Sequence, residues 1–429
     1  MGQAARVRLS GWIRRPWIVA LAAALVTLGI WFGPLYEQGQ VNPSSWLHKG
    51  DTPSYRRDAA LIDDGKLPYR DFHLEYPPLA LPVFMAPYVF GQEQEQYRHA
   101  FVRFFGVLAA ALAACAVFTA AALKRGPFDQ LAAGGLVAVG PLLLGDSIAL
   151  TRFDLWPTLL AAIGCLFLAR ARPAWAAAFA GLGTAAKLWP VLLLVPAASV
   201  AFRRAGWASV RRVLLASAIA CGIPFAVGIA MSLHGTLQSF HYQTARPLEF
   251  ESLGATVLLT LQKIGIGGHY PLVNSYGSFN LSGGRANAVA AALSAAGAVA
   301  VIAILVLGVR RVLRAPVEGA PTIAIHHAFA AVAAAVALGK VLSPQYMLWL
   351  LPFPLLLAGR ARYAAAVLVL AAIALTRFDV LNFDDLLHYR DTVTFMVLAR
   401  NVVLVALAGM LVLPVRRAAR VAAPDPSPA

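Results

Sequence analysis

The sequence predicts an all-α, polytopic transmembrane protein, and both its composition and its pattern of apolar runs indicate this class. Of the 429 residues, 59% are hydrophobic and 13% are charged, whereas about 25% of the residues in an ordinary soluble domain are charged. Apolar runs bounded by arginine recur along the chain, and a spanning helix needs roughly 20 apolar residues. We therefore expect about 12 spans in a single membrane domain, residues 1–415, and a cytoplasmic tail, residues 416–429.

Basic residues predict which side of the membrane each loop occupies. Lysine and arginine pairs such as Arg14-Arg15, Lys124-Arg125 and Arg203-Arg204 abut the apolar runs, which is typical of cytoplasmic loops. Such segments hold 20 of the 36 basic residues and three of the 20 acids. We therefore expect both termini to be cytoplasmic and the outer face of the cytoplasmic (inner) membrane to carry the chemistry. Because the basic residues do not cluster on one soluble surface, the net charge of +16 does not indicate nucleic-acid binding.

The cysteines do not predict a disulfide framework or a metal site, and the N-terminus does not predict a cleaved signal peptide. Cys115, Cys165 and Cys221 lie inside apolar runs and are odd in number, so we expect packing residues and neither disulfides nor a metal site. The apolar run from Trp17 to Gly33 lacks a clear cleavage site and predicts a retained signal anchor. The sequence indicates no cofactor.

The charge pattern orders the spans and loops. Residues 78–97 have no basic flank and begin after Pro77-Pro78, so they predict a re-entrant or surface segment on the outer side. Residues 54–64 have helical character and predict a juxtamembrane helix. Expected spans cover residues 17–35, 98–123, 129–147, 155–170, 213–233, 286–309, 362–376 and 393–414, and outer loops cover 36–77, 145–154, 234–285 and 377–392.

Two helical hairpins are predicted between cytoplasmic arginines. Residues 174–186 and 188–202 meet at Lys187, and residues 322–339 and 345–358 meet near Lys340. At 1.5 Å per residue each arm is about 20 Å long, shorter than the roughly 30 Å hydrocarbon core, so each turn should lie in a cavity below the outer surface. Lysines at such depth usually face a partner or water; the alternative is that they satisfy carbonyl groups at the turns.

The outer loops hold the candidate reactive groups. Asp51 precedes the juxtamembrane helix and can act as general base for an incoming hydroxyl, the alternative being an acid that caps the helix. Glu75 lies beside prolines that fix the direction of the next helix and is expected to face the same cavity. His241, Arg246 and Glu251 lie in a segment rich in donors and acceptors, for which the alternative is a solvated loop with one ion pair.

Two further groups of polar residues, a histidine pair and an acidic loop, have structural interpretations. His326 and His327 are adjacent, so they point to different faces of a helix and do not predict a metal site; we expect them near the membrane interface. The last outer loop, Asp379 to Asp391, is acidic and either binds an acceptor or a cation or is ordinary surface.

Several motifs in order resemble glycosyltransferase family 87. They are Asp51-x-x-x-Tyr55, Gly65-x-x-Pro68-Tyr69, Tyr76-Pro77-Pro78-Leu79, Arg152-Phe153-Asp154, Lys187 with Pro190, and Lys340-x-x-Ser343-Pro344-Gln345-Tyr346. The resemblance runs from about residue 17 to residue 360. It implies a GT-C-type fold, a polyprenyl-phosphate sugar as donor, inversion at the anomeric carbon, and a general base at the position of Asp51.

The resemblance also implies the composition of the binding site. Cations fixed at membrane depth would stabilise the leaving lipid phosphate; Arg152 has the alternative of an ion pair with Asp154. The mannosyltransferases of the family carry a histidine shortly after the Ser-Pro of the second hairpin, where this chain has Gln345-Tyr346-Met347. Phosphate-binding candidates are Lys187, Lys340, Arg152 and Arg246, and substrate-binding candidates are Tyr55, Glu75, Tyr76, Asp154, His241, Glu251, Ser252, Gln345 and Tyr346.

The expected function is transfer of a hexose, in the first instance mannose, from a polyprenyl-phosphate donor to a glycolipid or cell-wall glycan at the outer face, among membrane lipids. A transporter or flippase of lipid-linked sugars is the main alternative, although transporters usually bind at the midplane between inverted repeats, and the two hairpins here have the same orientation. A polymerase or ligase of lipid-linked glycans is a third possibility.

Overall fold

The computed structural model describes residues 15–41 and 50–413 of the chain. The predicted cytoplasmic tail and most of the N-terminal basic residues lie outside the described residues. Within them the protein is mostly helical. The chain begins with α1, Pro16–Ile30, continues through a π turn, Trp31–Leu35, and ends its first described segment with α2, Tyr36–Val41.

The remaining helices alternate between long apolar helices and short helices at loop ends. The juxtamembrane helix predicted at residues 54–64 is present as α3, Thr52–Asp63. The others are α4 Leu81–Phe90, α5 Gln94–Ala122, α6 Pro127–Leu144, α7 Asp146–Ala149, α8 Leu155–Ala169, α9 Pro173–Ala186, α10 Leu194–Met231, α11 Leu233–Ala245, α12 Leu253–Lys263, α13 Gly284–Arg314, α14 Ala320–Ala337, α15 Met347–Leu350, α16 Ala361–Leu381, α17 Phe383–Leu387 and α18 Asp391–Val412.

The predicted number of about 12 spans is not confirmed. Eight helices in the described ranges are long and apolar enough to cross a membrane. One reason is that α10 counts as one of these eight, although its backbone is non-helical at Ala205 and Gly206, where the second arm of the first hairpin ends and the next predicted span begins. Gly206 has a φ of 62°, a conformation that glycine adopts without steric cost. A second reason is that α8 and α9, with 15 and 14 residues, fall below the usual length of a span.

Turns are present at both predicted positions, but only the first leads into a second long helical arm. The predicted arm 345–358 contains only the four-residue helix α15 and a 3-10 turn at Pro354–Leu356, so the prediction of a second helical arm there is wrong. Helix α9 ends before Lys187, whose backbone is extended, and a 3-10 turn at Trp189–Leu193 leads into α10. Helix α14 ends at Ala337, and a 3-10 turn at Pro344–Tyr346 leads into α15. Proline lacks an N–H and its ring clashes within a helix, so Pro190 and Pro344 interrupt the helices where the lysine motifs lie.

The prediction of an all-α protein is wrong in one loop, which contains a small antiparallel sheet. The strands are β1, Leu248–Glu249, β2, Leu272–Ser275, and β3, Ser278–Leu281, in the order β1-β3-β2. Strands β2 and β3 form a hairpin in which Ser275 pairs with Ser278. This sheet lies in residues 234–285, the segment predicted to be the second long outer loop, and Glu249 of β1 connects it to the turn near Lys340.

Helix α14 lies at the centre of the protein, and 15 of its 18 residues are buried. Its alanines allow close packing against α13 and α18. His326 and His327 are buried on different faces of this helix. His326 contacts the carbonyl of Leu411 at 2.7 Å, and His327 contacts Arg311 at 3.2 Å. Their different faces are as predicted, and both side chains are buried in the protein. Their position near the membrane interface stays a prediction.

Candidate active site

A cavity of about 1230 Å³ opens between the first outer loop, the sheet and the two hairpin turns. It is large enough for a sugar with part of its carrier, because binding sites for small molecules measure about 300–1,000 Å³. The predicted site residues that line it are Asp51, Tyr55, Glu75, Tyr76, Arg152, Asp154, Lys187, Arg246, Glu251, Gln345 and Tyr346.

Asp51 contacts Arg152 at one side of the cavity. The side chain of Asp51 makes no capping hydrogen bond to α3, although the residue occupies the N-cap position. Its Oδ2 instead forms an ion pair with Arg152 and accepts a hydrogen bond from the Tyr55 hydroxyl at 3.1 Å. The capping interpretation is therefore wrong. Among the described residues, both of these contacts use Oδ2 of Asp51 and neither uses Oδ1.

Gly50 allows the chain at Asp51 to pack closely against the chain at Arg152. A Cβ added to Gly50 would lie 2.5 Å from the Cβ of Thr151, which is too close for any other residue without a shift. The absence of that Cβ lets the chain before Asp51 pack against the residue before Arg152. The carboxylate and the guanidinium are 29% and 18% exposed, so both remain accessible from the cavity.

Lys187 lies in an aromatic cage and pairs with Asp154. Its Nζ is 2.7 Å from Oδ1 of Asp154, which also accepts a hydrogen bond of 2.6 Å from the Trp349 indole. The same Nζ lies 5.0 to 5.5 Å from the ring centres of Phe153, Tyr346 and Trp349, within the range of cation–π attraction. Lys187 has three donors, and the ion pair with Asp154 uses one of them.

Burial raises the pKa of Glu75, and the charge of nearby Asp51 raises it further. A hydrogen bond from Tyr242 and the charge of Arg246 oppose this shift. Glu75 is thus a half-buried carboxyl group close to the proposed base. It can exchange hydrogen bonds with a polyhydroxylated ligand in either protonation state.

The carboxylate of Glu249 holds the second hairpin turn beside the cavity. It accepts hydrogen bonds from the Leu342 amide at 2.7 Å and from the Ser343 hydroxyl at 3.2 Å. Its own amide donates to the Lys340 carbonyl at 3.0 Å. Arg246 lies 3.8 Å from the same carboxylate and donates to Ser278 at 3.1 Å. Glu249 therefore connects the sheet, Arg246 and the hairpin turn.

Lys340 lies outside the main cavity. It lines a second, mostly apolar cavity of about 420 Å³ between α13 and the second hairpin, and its Nζ donates to the carbonyl of Thr244 at 2.7 Å. The prediction that Lys187 and Lys340 face one pocket is thus wrong. The two cavities are adjacent, because Gln243, Arg246 and Tyr346 line both.

Glu251 reaches the cavity but belongs to a buried ion network. Its Oε1 lies 3.3 Å from Arg400, and Arg400 also lies 3.2 Å from Asp379. Arg400 is fully buried. Burial raises the pKa of Glu251, while the charge of Arg400 opposes the shift. One guanidinium thus compensates two buried carboxyl groups, and this is a structural role.

Acidic side chains outnumber basic ones along the main cavity. The acids are Glu37, Asp51, Asp58, Glu75, Asp146, Asp154, Glu249, Glu251 and Asp384, against Arg57, Arg152, Lys187, Arg246 and Arg377. An anionic group would therefore be attracted only to the end where Lys187 and Arg246 lie. In the part of the chain that the structure describes, no group of three potential metal ligands is present.

Comparison with known proteins shows similarity to one family over part of the chain. The family model described as glycosyltransferase family 87 matches residues 72–262. The predicted resemblance to family 87 is therefore confirmed. The match and the eight long apolar helices support a membrane glycosyltransferase. Comparison of the sequence with curated proteins gives no match.

Among solved structures, the chain is similar to a crystal structure of the oligosaccharyltransferase of Archaeoglobus fulgidus, tethered through a disulfide bond to an acceptor peptide that contains the NVT sequon. The two share 14% identity with a TM-score of 0.43, over 94% of this chain and 55% of that chain. The chain thus spans about half the length of this oligosaccharyltransferase.

The residues matched by family 87 include part of the cavity. Arg152, Asp154, Lys187 and Arg246 lie within them, whereas Asp51 and the second hairpin lie outside. The structure brings both groups together. Arg152 contacts Asp51, and Lys187 contacts Asp154, so the alternative pairing of Arg152 with Asp154 is wrong.

Two predicted substrate-binding residues do not line the cavity. His241 is exposed. Ser252 is fully buried, and its hydroxyl accepts a hydrogen bond from the Ala255 amide as the N-cap of α12. Glu249, by contrast, was not predicted although it lines the cavity. Glu249 follows Arg246 by three residues, and this spacing alone did not predict that the two side chains would pair beside the cavity.

Proposed function

We propose that this membrane glycosyltransferase transfers a sugar, in the first instance mannose, from a polyprenyl-phosphate donor to a glycolipid or cell-wall glycan. The observation that carries this proposal is the arrangement of the main cavity, where the carboxylate of Asp51 shares one space with Lys187 and Arg246. A base for a hydroxyl and cations for a leaving phosphate are the two requirements of the reaction.

The proposed reaction proceeds with inversion. The acceptor oxygen attacks the anomeric carbon while Asp51 accepts the hydroxyl proton. The bond from the anomeric carbon to the phosphate oxygen breaks, and its electron pair leaves with the polyprenyl phosphate. Lys187 and Arg246 would stabilise the charge that develops on this oxygen. Arg152 is assigned to Asp51, which it orients.

The second cavity supports a lipid-linked donor. Its walls are mostly apolar and include Leu293, Val301 and Leu338, and Arg246 and Lys340 lie at its polar end. A polyprenyl chain would lie along these walls, with its phosphate at Arg246, where the two cavities meet. In this arrangement Lys340 contributes charge from the lipid side and not from the main cavity. The reaction is proposed to take place at the outer face of the cytoplasmic membrane.

The proposal is tested with purified protein in nanodiscs, supplied with polyprenyl-phosphate [14C]mannose and a mannose-containing glycolipid. We expect label to appear in the glycolipid, and no transfer when guanosine diphosphate mannose replaces the lipid donor. Transfer from the nucleotide sugar alone would contradict the lipid donor. Movement of the labelled lipid across proteoliposomes without any transfer would instead indicate the flippase.

A further inference from the structure

The hairpin between β2 and β3 has an aromatic residue where its turn requires an unusual backbone. Tyr276 and Gly277 form a two-residue turn with φ angles of 54° and 63°. Positive φ at both positions is the requirement of a type I′ turn, for which Asn-Gly and Asp-Gly are the preferred pairs. A residue other than glycine, asparagine or aspartate in this region is uncommon, so the backbone at Tyr276 is strained.

Surrounding contacts hold this strained turn rigidly. Asn280 donates from its amide to the Ser275 carbonyl at 2.8 Å and to the Ser278 carbonyl at 3.0 Å. Arg246 donates to the Ser278 hydroxyl. Strand β3 pairs with β1, so the turn is joined through Glu249 to the second helical hairpin. The position of Tyr276 is therefore fixed relative to the cavity.

Tyr276 lines the main cavity, and other aromatic groups support it. Its ring centre lies 5.0 Å from that of Tyr242, which lies 5.5 Å from the ring of His73. Tyr242 also donates a hydrogen bond to Glu75. An aromatic face and a carboxyl group are thus joined beside the proposed base.

We propose that Tyr276 forms a binding subsite for a pyranose ring of the acceptor. The C–H face of such a ring can pack on the negative face of the phenol ring, while its hydroxyl groups reach polar lining groups such as Glu75, Asn274 and Ser278. The excess of acids in the cavity favours a neutral polyhydroxylated acceptor over an anionic one. The assignment rests on the proposed transferase function and adds that the acceptor is recognised through a sugar that it already carries.

The test compares Tyr276→Asn with Tyr276→Phe. Asparagine suits the first position of a type I′ turn, so the Asn variant should keep the hairpin and equal or exceed the wild type in thermal midpoint. Phenylalanine keeps the ring and removes the hydroxyl. The probes are octyl mannoside and an alkyl glycerol ether, which has hydroxyls but no ring. The protein is held in nanodiscs, since sugar-headed detergents would compete for the subsite.

We expect Tyr276→Asn to weaken octyl mannoside binding, and to raise its KM as acceptor, by about tenfold. The KM of the donor and the use of the alkyl glycerol ether should not change, and Tyr276→Phe should stay within about threefold of wild type. Unchanged mannoside binding in the Asn variant would overturn the proposal, as would an equal loss in the Phe variant. If wild type binds the mannoside but uses no polyprenyl-phosphate donor, the proposed function fails and the subsite stands.

Discussion

Asp51→Asn is expected to lower kcat for sugar transfer by about 10²- to 10⁴-fold, the range that a positioned general base contributes. Asparagine keeps the size of the side chain and its contact with Tyr55, but it cannot accept the hydroxyl proton. The KM of the donor should change little, because the phosphate is assigned to Arg246 and Lys187. Initial rates with the labelled lipid donor measure both quantities.

Asp63→Asn is the matched control for this variant. Asp63 is the last residue of the same helix and is exposed, so the substitution removes an equal charge outside the cavity. We expect its transfer rate to match that of wild type. An Asp51→Asn enzyme that transfers at the wild-type rate would exclude Asp51 as the base.

Arg400→Met is expected to lower the free energy of unfolding by about 3–5 kcal/mol, the cost of breaking a buried ion pair by removing one partner. The guanidinium of Arg400 is fully buried between Glu251 and Asp379. It also donates to the Glu251 carbonyl at 2.5 Å. Its loss leaves two buried carboxyl groups without compensation. Thermal unfolding in detergent, followed by circular dichroism, measures the effect.

Arg390→Met provides the comparison. Arg390 precedes the same helix, and its side chain is 73% exposed and 4.0 Å from Asp385, so its removal should change stability by no more than about 1 kcal/mol. Equal loss in the two variants would contradict a special role for Arg400.

The same network predicts a pH dependence of stability. Burial raises the pKa of Glu251 above its value of about 4.3 in an unfolded chain. Its stabilising contribution is complete below that value and is lost as the pH rises through the folded-state pKa. The thermal midpoint of wild type should therefore fall between about pH 5 and pH 8, and Glu251→Gln should reduce this fall.

Parts of the fold were predictable because proline and basic residues have strong local effects. The two hairpin turns follow from Lys187 with Pro190 and from Lys340 with Pro344, where proline interrupts apolar runs. The break predicted from Arg203 and Arg204 is present at Ala205 and Gly206, but its shortness was not predictable, since paired arginines indicate a longer loop. The small sheet was missed because its strands have two to four residues and its turn carries tyrosine in place of asparagine or aspartate.

The site was predictable where one short motif held two residues that line the cavity. Arg152 and Asp154 were both identified, but their partners, Asp51 and Lys187, come from distant loops, so the pairing required the structure. Arg400 was passed over although a charged residue within an apolar span is a recognised signal. Lys340 was placed in the wrong cavity because the lysine and its hairpin turn do not specify on which side the side chain lies.

The central claim is that the donor phosphate and Asp51 share the main cavity. A cryo-electron microscopy structure with bound polyprenyl phosphate tests it most directly. We expect the phosphate within hydrogen-bonding distance of Arg246 and Lys187, and the lipid chain along the second cavity, which Lys340 lines. Asp51 should be open to the cavity that holds the phosphate. A phosphate bound elsewhere, with Asp51 separated from it by protein, would contradict this account.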